Sequence, residues 1–355
     1  MLRAPLIVPR ANGSSAAPAP AAPRRILIVS DAGPPQVNGV VNTLAYTARE
    51  LRTLGHQVEQ LSPPSAGTIP CPTYPEIRLT LRPRRLVARA FDRFAPDAVH
   101  VATEGPLGLA ARAECRRRGQ RFTTSYHTQF PQYLRLRLPI PLSWSYAWLR
   151  GFHGAASRTL VPTPTVKREL EAQGFANVVL WTRGVDTATF APGARDAFGD
   201  LPRPICLYAG RVSVEKNLGA FLDARLPGSK VVVGDGPDLA QLRARHPEVR
   251  FTGYRFSAEL AAAMRAADAF VFPSRTDTFG LVMLEALACG VPVAAFPVTG
   301  PIDVIEDGVT GALDEDLARA VKRALALDPA ACRAAALRQG WDTVARQLIE
   351  HLDPA

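Results

Sequence analysis

The chain has 355 residues, 47% of them hydrophobic and 21% charged, with 42 basic against 32 acidic side chains and a formal net charge of +10. That length allows two domains with sizeable cores, and that composition excludes a disordered chain. Only four basic residues are lysines (Lys167, Lys216, Lys230 and Lys322), so the surplus is an arginine surplus, compatible with phosphorylated substrates, an anionic membrane or nucleic acid. The five cysteines (Cys71, Cys115, Cys206, Cys289, Cys332) lack zinc-like or redox-like spacing and read as reduced thiols of a cytoplasmic protein. No run of 18 apolar residues exists, so no membrane span is predicted. The first 23 residues, rich in Ala and Pro, read as a disordered tail rather than a signal peptide.

The ordered chain begins with the apolar run Ile26–Val29, a buried strand, followed by a loop with Gly33-Pro34-Pro35 and an amphipathic helix over Val41–Leu54 that ends at Gly55. Val58–Leu61 is the next strand. Strands are predicted again at Ala98–Val101 and Phe122–Tyr126, with a helix over Gly105–Arg118 between them; Val178–Trp181 closes this half and leads to Arg183-Gly184-Val185-Asp186. The pattern restarts at Ile205–Tyr208, continues through a loop with Gly210-Arg211, a helix (Leu218–Ala224) and a strand (Lys230–Val233), then Gly234-Asp235-Gly236-Pro237. The helix Asp238–Arg245, strand Val249–Phe251, helix Ser257–Ala266 and strand Ala269–Phe272 follow. Alternating strands and helices imply parallel sheets covered on both faces. Two restarts imply an α/β protein of two doubly wound Rossmann-like domains facing across a cleft, over 24–190 and 200–337, with a final helix over 338–352 that can pack back on the first. In such sheets ligands bind outside the carboxyl ends of the strands.

The stretch Pro273–Val293 carries the most chemistry. A strand runs into a loop with Asp277, then into an almost wholly apolar helix that bears Glu285 and stops at Gly290. Backbone N–H groups of Thr278, Phe279 and Gly280 at the helix start favour an anion. Asp277 also fits an ordinary helix-start acid and Glu285 an ordinary helix residue, but a carboxylate on so apolar a helix needs a partner. Arg211 and Lys216 lie on a βα loop, where two cations can neutralise a diphosphate or merely be solvated. Gly39 fits either a close backbone approach to phosphate or a helix start capped by Asn38. His127 stands at the carboxyl end of a strand, whereas His56, His100, His153, His246 and His351 read as surface or packing residues. Gly236 sits in a short glycine loop that lacks a full dinucleotide or Walker pattern.

Together these residues resemble the retaining family-4 glycosyltransferases of GT-B fold over residues 25–352. The resemblance rests on the acid-x7-acid motif Asp277–Glu285, with Gly39, His127, Gly184-Val185-Asp186, Arg211, Lys216 and Gly234-Asp235-Gly236 in support. It departs from the family in that the first acid, usually Glu, is Asp277. The resemblance implies that Arg211 and Lys216 hold the donor diphosphate, Asp277 contacts donor sugar hydroxyls, the backbone of Phe279, Gly280 and Leu281 binds phosphate, Glu285 binds the ribose, and His127 lies near the transferred sugar. It implies no metal and no cofactor beyond the nucleotide-sugar donor. Pro34–Val40, Thr103–Gly108 and Thr124–Thr128 resemble bacterial GDP-mannose-dependent α-mannosyltransferases and also enzymes that glycosylate diacylglycerol.

The acceptor expected from this resemblance is a lipid or glycan. Arginines at 82, 84, 85, 89 and 93, a second cluster at 112 and 116–118, and the nearby Trp144, Tyr146 and Trp148 suit either peripheral docking on the inner face of an anionic membrane or a solvated face over a buried aromatic cluster. Nucleic acid is not an expected partner, since no recognition motif accompanies the charge. A nicotinamide-dependent oxidoreductase would need a G-x-G-x-x-G that the first loop lacks. A non-catalytic sugar-nucleotide sensor and a sugar-nucleotide epimerase remain as rival classes.

Overall fold

The computed structural model describes residues 22–36, 38–71, 74–137 and 140–352, which form two compact units. The tail expected over 1–23 lies, but for its last two residues, outside that range. The first unit runs to Thr182 and takes the chain back from Trp341. It comprises β1 (Arg25–Val29), α1 (Gly39–Thr53), β2 (Gln57–Leu61), β3 (Thr68–Cys71), β4 (Tyr74–Thr80), α2 (Pro83–Phe94), β5 (Ala98–Val101), α3 (Pro106–Arg118), β6 (Thr123–Ser125), α4 (Phe130–Arg137), α5 (Leu142–His153), β7 (Arg158–Val161), α6 (Pro164–Ala172) and β8 (Val178–Leu180). Six of these strands form a parallel sheet in the order β2-β1-β5-β6-β7-β8, and β3 with β4 makes a separate antiparallel hairpin. Ile26, Leu27, Ile28 and Val29 are at most 1% exposed because helices cover both faces of β1. Each such side chain stabilises by about 1.5–3 kcal/mol relative to exposure.

The second unit, Arg183–Gly340, comprises β9 (Ile205–Ala209), a 3-10 turn (Val214–Lys216), α7 (Leu218–Leu222), β10 (Ser229–Val233), α8 (Leu239–Arg245), β11 (Arg250–Phe251), α9 (Ser257–Ala266), β12 (Ala269–Phe272), α10 (Leu281–Ala288), β13 (Val293–Ala295), α11 (Pro301–Val304), β14 (Gly311–Leu313), α12 (Leu317–Ala324) and α13 (Pro329–Ala336). Its parallel sheet has the order β11-β10-β9-β12-β13-β14. The last helix, α14 (Trp341–His351), belongs to the first unit, where Trp341 stacks on Tyr46 of α1 with ring centroids 5.1 Å apart.

The boundary between units differs from the sequence expectation. Residues 183–190 were assigned to the first domain, but Val185, Phe190 and Phe198 are buried in the hydrophobic core of the second unit. Val185 N–H also donates to the Gln339 carbonyl at 2.9 Å, which keeps 338–340 with that unit. The chain therefore changes units at Thr182–Arg183 and again at Gly340–Trp341.

Each sheet has a point where strand order reverses: between β1 and β5 in the first, and between β9 and β12 in the second. Connections leave these neighbouring strands toward opposite sides, which opens a crevice at their carboxyl ends. Arg211, Lys216 and Asp277 lie in the two loops that follow β9 and β12.

Candidate active site

The loops after β9 and β12 are stitched together by short polar side chains. Ser274 Oγ and Thr276 Oγ1 both donate to the Glu215 carbonyl, at 3.3 and 3.2 Å. The Asn217 amide donates to the Pro273 carbonyl at 3.0 Å, from a left-handed backbone (φ 53°) that Asn tolerates. These three bonds deliver Lys216 Nζ to Asp277 Oδ1 at 2.6 Å. Asp277 Oδ2 is buried and has no hydrogen-bond partner among the described residues. The sequence reading gave Lys216 and Asp277 separate ligand groups; the fold pairs them, 61 residues apart in the chain. An ion pair with one carboxylate oxygen left over can hold an anion on the ammonium side and accept a hydroxyl on the other.

Arg211 is half-buried on the same loop, and its carbonyl accepts the Tyr208 hydroxyl at 2.7 Å. The Gly236 loop lies against it: Val212 N–H donates to the Asp235 carbonyl at 2.9 Å and Asp238 N–H to the Val212 carbonyl at 3.2 Å. A Cβ at Gly236 would stand 2.2 Å from the Val212 carbonyl oxygen, so the close approach of these loops requires glycine. An open groove lined by Asp235, Gly236, Pro237, Leu239 and Arg243 adjoins this loop.

The helix expected to open at Gly280 opens one residue later. Gly280 is its N-cap with φ 85°, and a Cβ there would also meet Met283 and Phe272 at 2.8 Å. Phe279 and Thr278 are buried, Phe279 in the core, which leaves the backbone of 279–281 as the group this turn offers. No side chain caps α10. It shares this with α2, α3, α5, α8 and α9, whereas Asn38 caps α1, Thr163 caps α6, and Asp316 and Asp328 cap α12 and α13. Further along α10, Glu285 is half-buried among apolar neighbours, and no hydrogen bond to its carboxylate forms among the described residues. Burial pushes its pKa from 4.5 to about 7. A carboxylate left in that condition is a binding group awaiting hydroxyl donors.

In the first unit the carboxyl ends of β1 and β5 are closed by the protein itself. Asp31 is buried and accepts Leu107 N–H at 2.8 Å and Gly108 N–H at 3.2 Å, so a carboxylate already occupies the start of α3. Burial raises the Asp31 pKa, while those backbone bonds and the Thr103 hydroxyl oppose the rise. At the start of α1, Asn38 Oδ1 accepts Val40 and Val41 N–H, both at 3.0 Å. The capping alternative for this turn is thus the one that the geometry displays, and Gly39 contributes only an exposed backbone. His127 is half-buried past β6, with Nε2 2.8 Å from Ser125 Oγ and its ring edge-on to Trp181 at 6.0 Å.

Sequence reasoning missed the supporting groups. Glu215, Asn217, Ser274 and Thr276 carry no motif; their only signal was position in loops at a strand's carboxyl end. His100 and His153, read as surface or packing residues, are fully buried in hydrogen-bonded settings, His100 between Thr123 and Ser125 and His153 between Thr124 and Glu104. Arg183 is also buried, which lowers its pKa to about 9.

The sequence matches the family models described as Glycosyltransferase Family 4 over residues 37–189 and Glycosyl transferases group 1 over residues 203–327. A GDP-mannose-dependent alpha-mannosyltransferase of Mycobacterium tuberculosis (strain CDC 1551 / Oshkosh) is 32% identical over 93% of this chain and 96% of its own. A sulfoquinovosyl transferase of Arabidopsis thaliana is 32% identical over 82% of this chain and 64% of its own. Among solved structures, the sucrose-phosphate synthase of Thermosynechococcus elongatus superposes with a TM-score of 0.75 at 21% identity, over 92% of this chain and 98% of that one, which shows a shared fold.

Proposed function

Since the chain belongs to glycosyltransferase family 4 and is a hexose-transferring enzyme of GT-B fold, we propose that it moves mannose from GDP-mannose to a lipid or glycan acceptor with retention of anomeric configuration. The observation that carries this reading is the Lys216–Asp277 pair at the reversal point of the second sheet, beside an uncapped apolar helix. Arg211 and Lys216 take the diphosphate, with the backbone of Phe279, Gly280 and Leu281 completing the anion site. Asp277 Oδ2 accepts a hydroxyl of the donor sugar. Glu285 accepts the ribose hydroxyls, and the Gly236 loop lets the nucleotide approach the backbone. In the other unit, His127 is the side chain this reading assigns to the reaction, and Gly39 offers an exposed backbone. As the glycosidic bond breaks, negative charge grows on the leaving phosphate. Two preorganised cations and a helix start lower the energy of that charge most in the transition state. The phosphate then takes the acceptor proton on the face it leaves, and no metal is required.

The second reading is a UDP-sugar-dependent diacylglycerol glycosyltransferase, favoured by the likeness to the plant sulfoquinovosyl transferase. Thermal shifts with GDP, UDP and ADP, then turnover of their sugars, separate the two. The expected result is the largest stabilisation by GDP and mannose transfer undiminished by EDTA. Preferential stabilisation by UDP favours the second reading, and binding without transfer or hydrolysis across the panel favours a sensor.

The membrane-facing part of the proposal is narrower than the sequence allowed. Arg112 donates to the Phe152 and Gly151 carbonyls, Arg93 pairs with Glu59, and Arg117 and Arg118 pair with Glu114. Arg82, Arg84, Arg85 and Arg89 on or beside α2 are exposed and form no ion pair among the described residues. On α5, Tyr146 is buried and bonded to Gln132, whereas Trp144 and Trp148, one turn apart on the other side, are 73% and 45% exposed. Cations without acids and aromatic rings in water suit an anionic bilayer surface. Flotation with phosphatidylglycerol vesicles is expected to carry the wild type, and less of a variant with Arg82, Arg84, Arg85 and Arg89 changed to Gln. Equal flotation, or none at moderate salt, removes the idea. Among the described residues no helix is long and apolar enough to cross a membrane.

A further inference from the structure

We propose that His100 and Ser125 are positioning residues that fix the ring of His127 through a buried chain of hydroxyls and imidazoles. His100, on β5, is 0% exposed. Its Nδ1 lies 2.9 Å from Thr123 Oγ1, and its Nε2 lies 3.1 Å from Ser125 Oγ. Ser125, also 0% exposed, stands 2.8 Å from His127 Nε2, and besides the two histidines it reaches the Ala102 carbonyl at 3.4 Å. The shortest bond of the set is therefore the one that reaches His127.

A neutral imidazole has one donor and one acceptor, and a serine hydroxyl has a single proton to give. If Ser125 gives that proton to His127, it can accept only from His100 Nε2–H, and Thr123 then donates to His100 Nδ1. If His127 Nε2 donates instead, Ser125 passes its own proton to His100 Nε2 or to the Ala102 carbonyl. In each arrangement His127 Nε2 is tied to Ser125, which makes the two tautomers of the ring unequal in energy and favours one of them. Burial makes a half-satisfied chain costly, so its members order one another.

A second contact confines the same rings. Trp181 packs edge-on against His100 at 5.5 Å and against His127 at 6.0 Å between centroids. Trp181 is 0% exposed, and its indole N–H donates to the Val344 carbonyl of α14 at 3.0 Å. The returning helix thus braces the tryptophan that braces the histidines, which gives this helix a part in the site beyond covering α1.

The placement of the ring stands on geometry alone; its catalytic consequence rests on the glycosyl-transfer reading. The two are measured separately. Long-range 1H–15N spectra of protein labelled at histidine, with His127 assigned through His127→Gln, read the tautomer directly. The wild type is expected to show one protonated and one bare ring nitrogen at His127. Ser125→Ala is expected to average the two, and Ser125→Thr, which keeps the hydroxyl, to restore them. Averaged shifts in the wild type overturn the proposal even if Ser125→Ala fails to fold, as do unchanged shifts in a folded Ser125→Ala. With GDP-mannose as the probe, Ser125→Ala should lower kcat roughly 10- to 100-fold with KM nearly constant, and Ser125→Thr should recover most of it. Unchanged kcat in folded Ser125→Ala overturns the catalytic consequence. A wild type that turns over no donor instead overturns the glycosyl-transfer reading and leaves the spectra to decide the ring placement.

Discussion

Lys216→Ala is expected to lower kcat/KM for donor turnover by about 10²–10³-fold, the usual loss when one preorganised stabiliser of developing charge is removed. The pairing with Asp277 makes the effect larger than that of a lone cation. Lys216 Nζ is the hydrogen-bond partner of Asp277 Oδ1, and the other carboxylate oxygen is buried without one. Without the ammonium, a mostly buried carboxylate loses its counter-charge, at a further cost of about 1–3 kcal/mol. Asp277 should then be free to swing away from the position in which it accepts a sugar hydroxyl. The two residues act as a unit, so Asp277→Ala should cost far less in a Lys216→Ala background than in the wild type. Steady-state kinetics on the four proteins of this cycle, with melting curves to confirm folding, measure the coupling. Additive losses, or Lys216→Ala within twofold of the wild type, contradict the account.

Glu285→Gln is expected to separate stability from binding. The Glu285 carboxyl titrates near 4.5 when unfolded and at about 7 when folded. The folded state therefore holds this proton more tightly, and the stabilisation it confers is full below about pH 4.5 and lost as pH rises through 7. At pH 8 the ligand-free wild type carries the ionised group at a cost of about 1–3 kcal/mol, with the lower end favoured by its remaining solvent contact. Glu285→Gln removes that charge, so the variant should be the more stable protein at pH 8 and nearly equal to the wild type near pH 4.5. Guanidinium unfolding at the two pH values tests this. Nucleotide binding should move the opposite way: a hydrogen bond to a charged group contributes about 1.5–3 kcal/mol, so GDP should bind roughly 10- to 100-fold more weakly to the variant. Ribose hydroxyls favour the ionised carboxylate, so binding to the wild type near pH 7 should release a proton, visible by calorimetry in buffers of different ionisation enthalpy. A variant less stable than the wild type at pH 8 would show that the carboxylate has a structural partner.

Much of this site was legible because its signals are local. The apolar run Phe270–Phe272, the turn residues after it and the apolar helix bearing Glu285 all fall within a short stretch, and the fold realises each of them within a residue or two. The alternation of strands and helices likewise announced two parallel sheets. What sequence reasoning missed depends on long-range contact. Nothing near Lys216 says that its ammonium meets Asp277, because that contact is made by three polar side chains pulling two loops together. His100 reads as a surface or packing residue, and its burial bears out packing; what the sequence does not show is the neighbouring strand, whose Thr123 and Ser125 hydroxyls let an imidazole be buried there. The unit boundary is misplaced because the alternation of strands and helices restarts only at Ile205, while the aromatic rings of Phe190 and Phe198 anchor the residues before it in the second core. The hairpin of β3 and β4 was not foreseen; it stands outside the parallel sheet and breaks the alternation on which the reading relied.

A crystal structure of the wild-type protein with GDP tests the central claim most directly. The account predicts the terminal phosphate within hydrogen-bonding distance of Lys216 Nζ and of the N–H groups that open α10, with the Arg211 guanidinium on the same diphosphate and Glu285 on the ribose. Phosphates bound elsewhere, with Lys216 still turned to Asp277 alone, would contradict it.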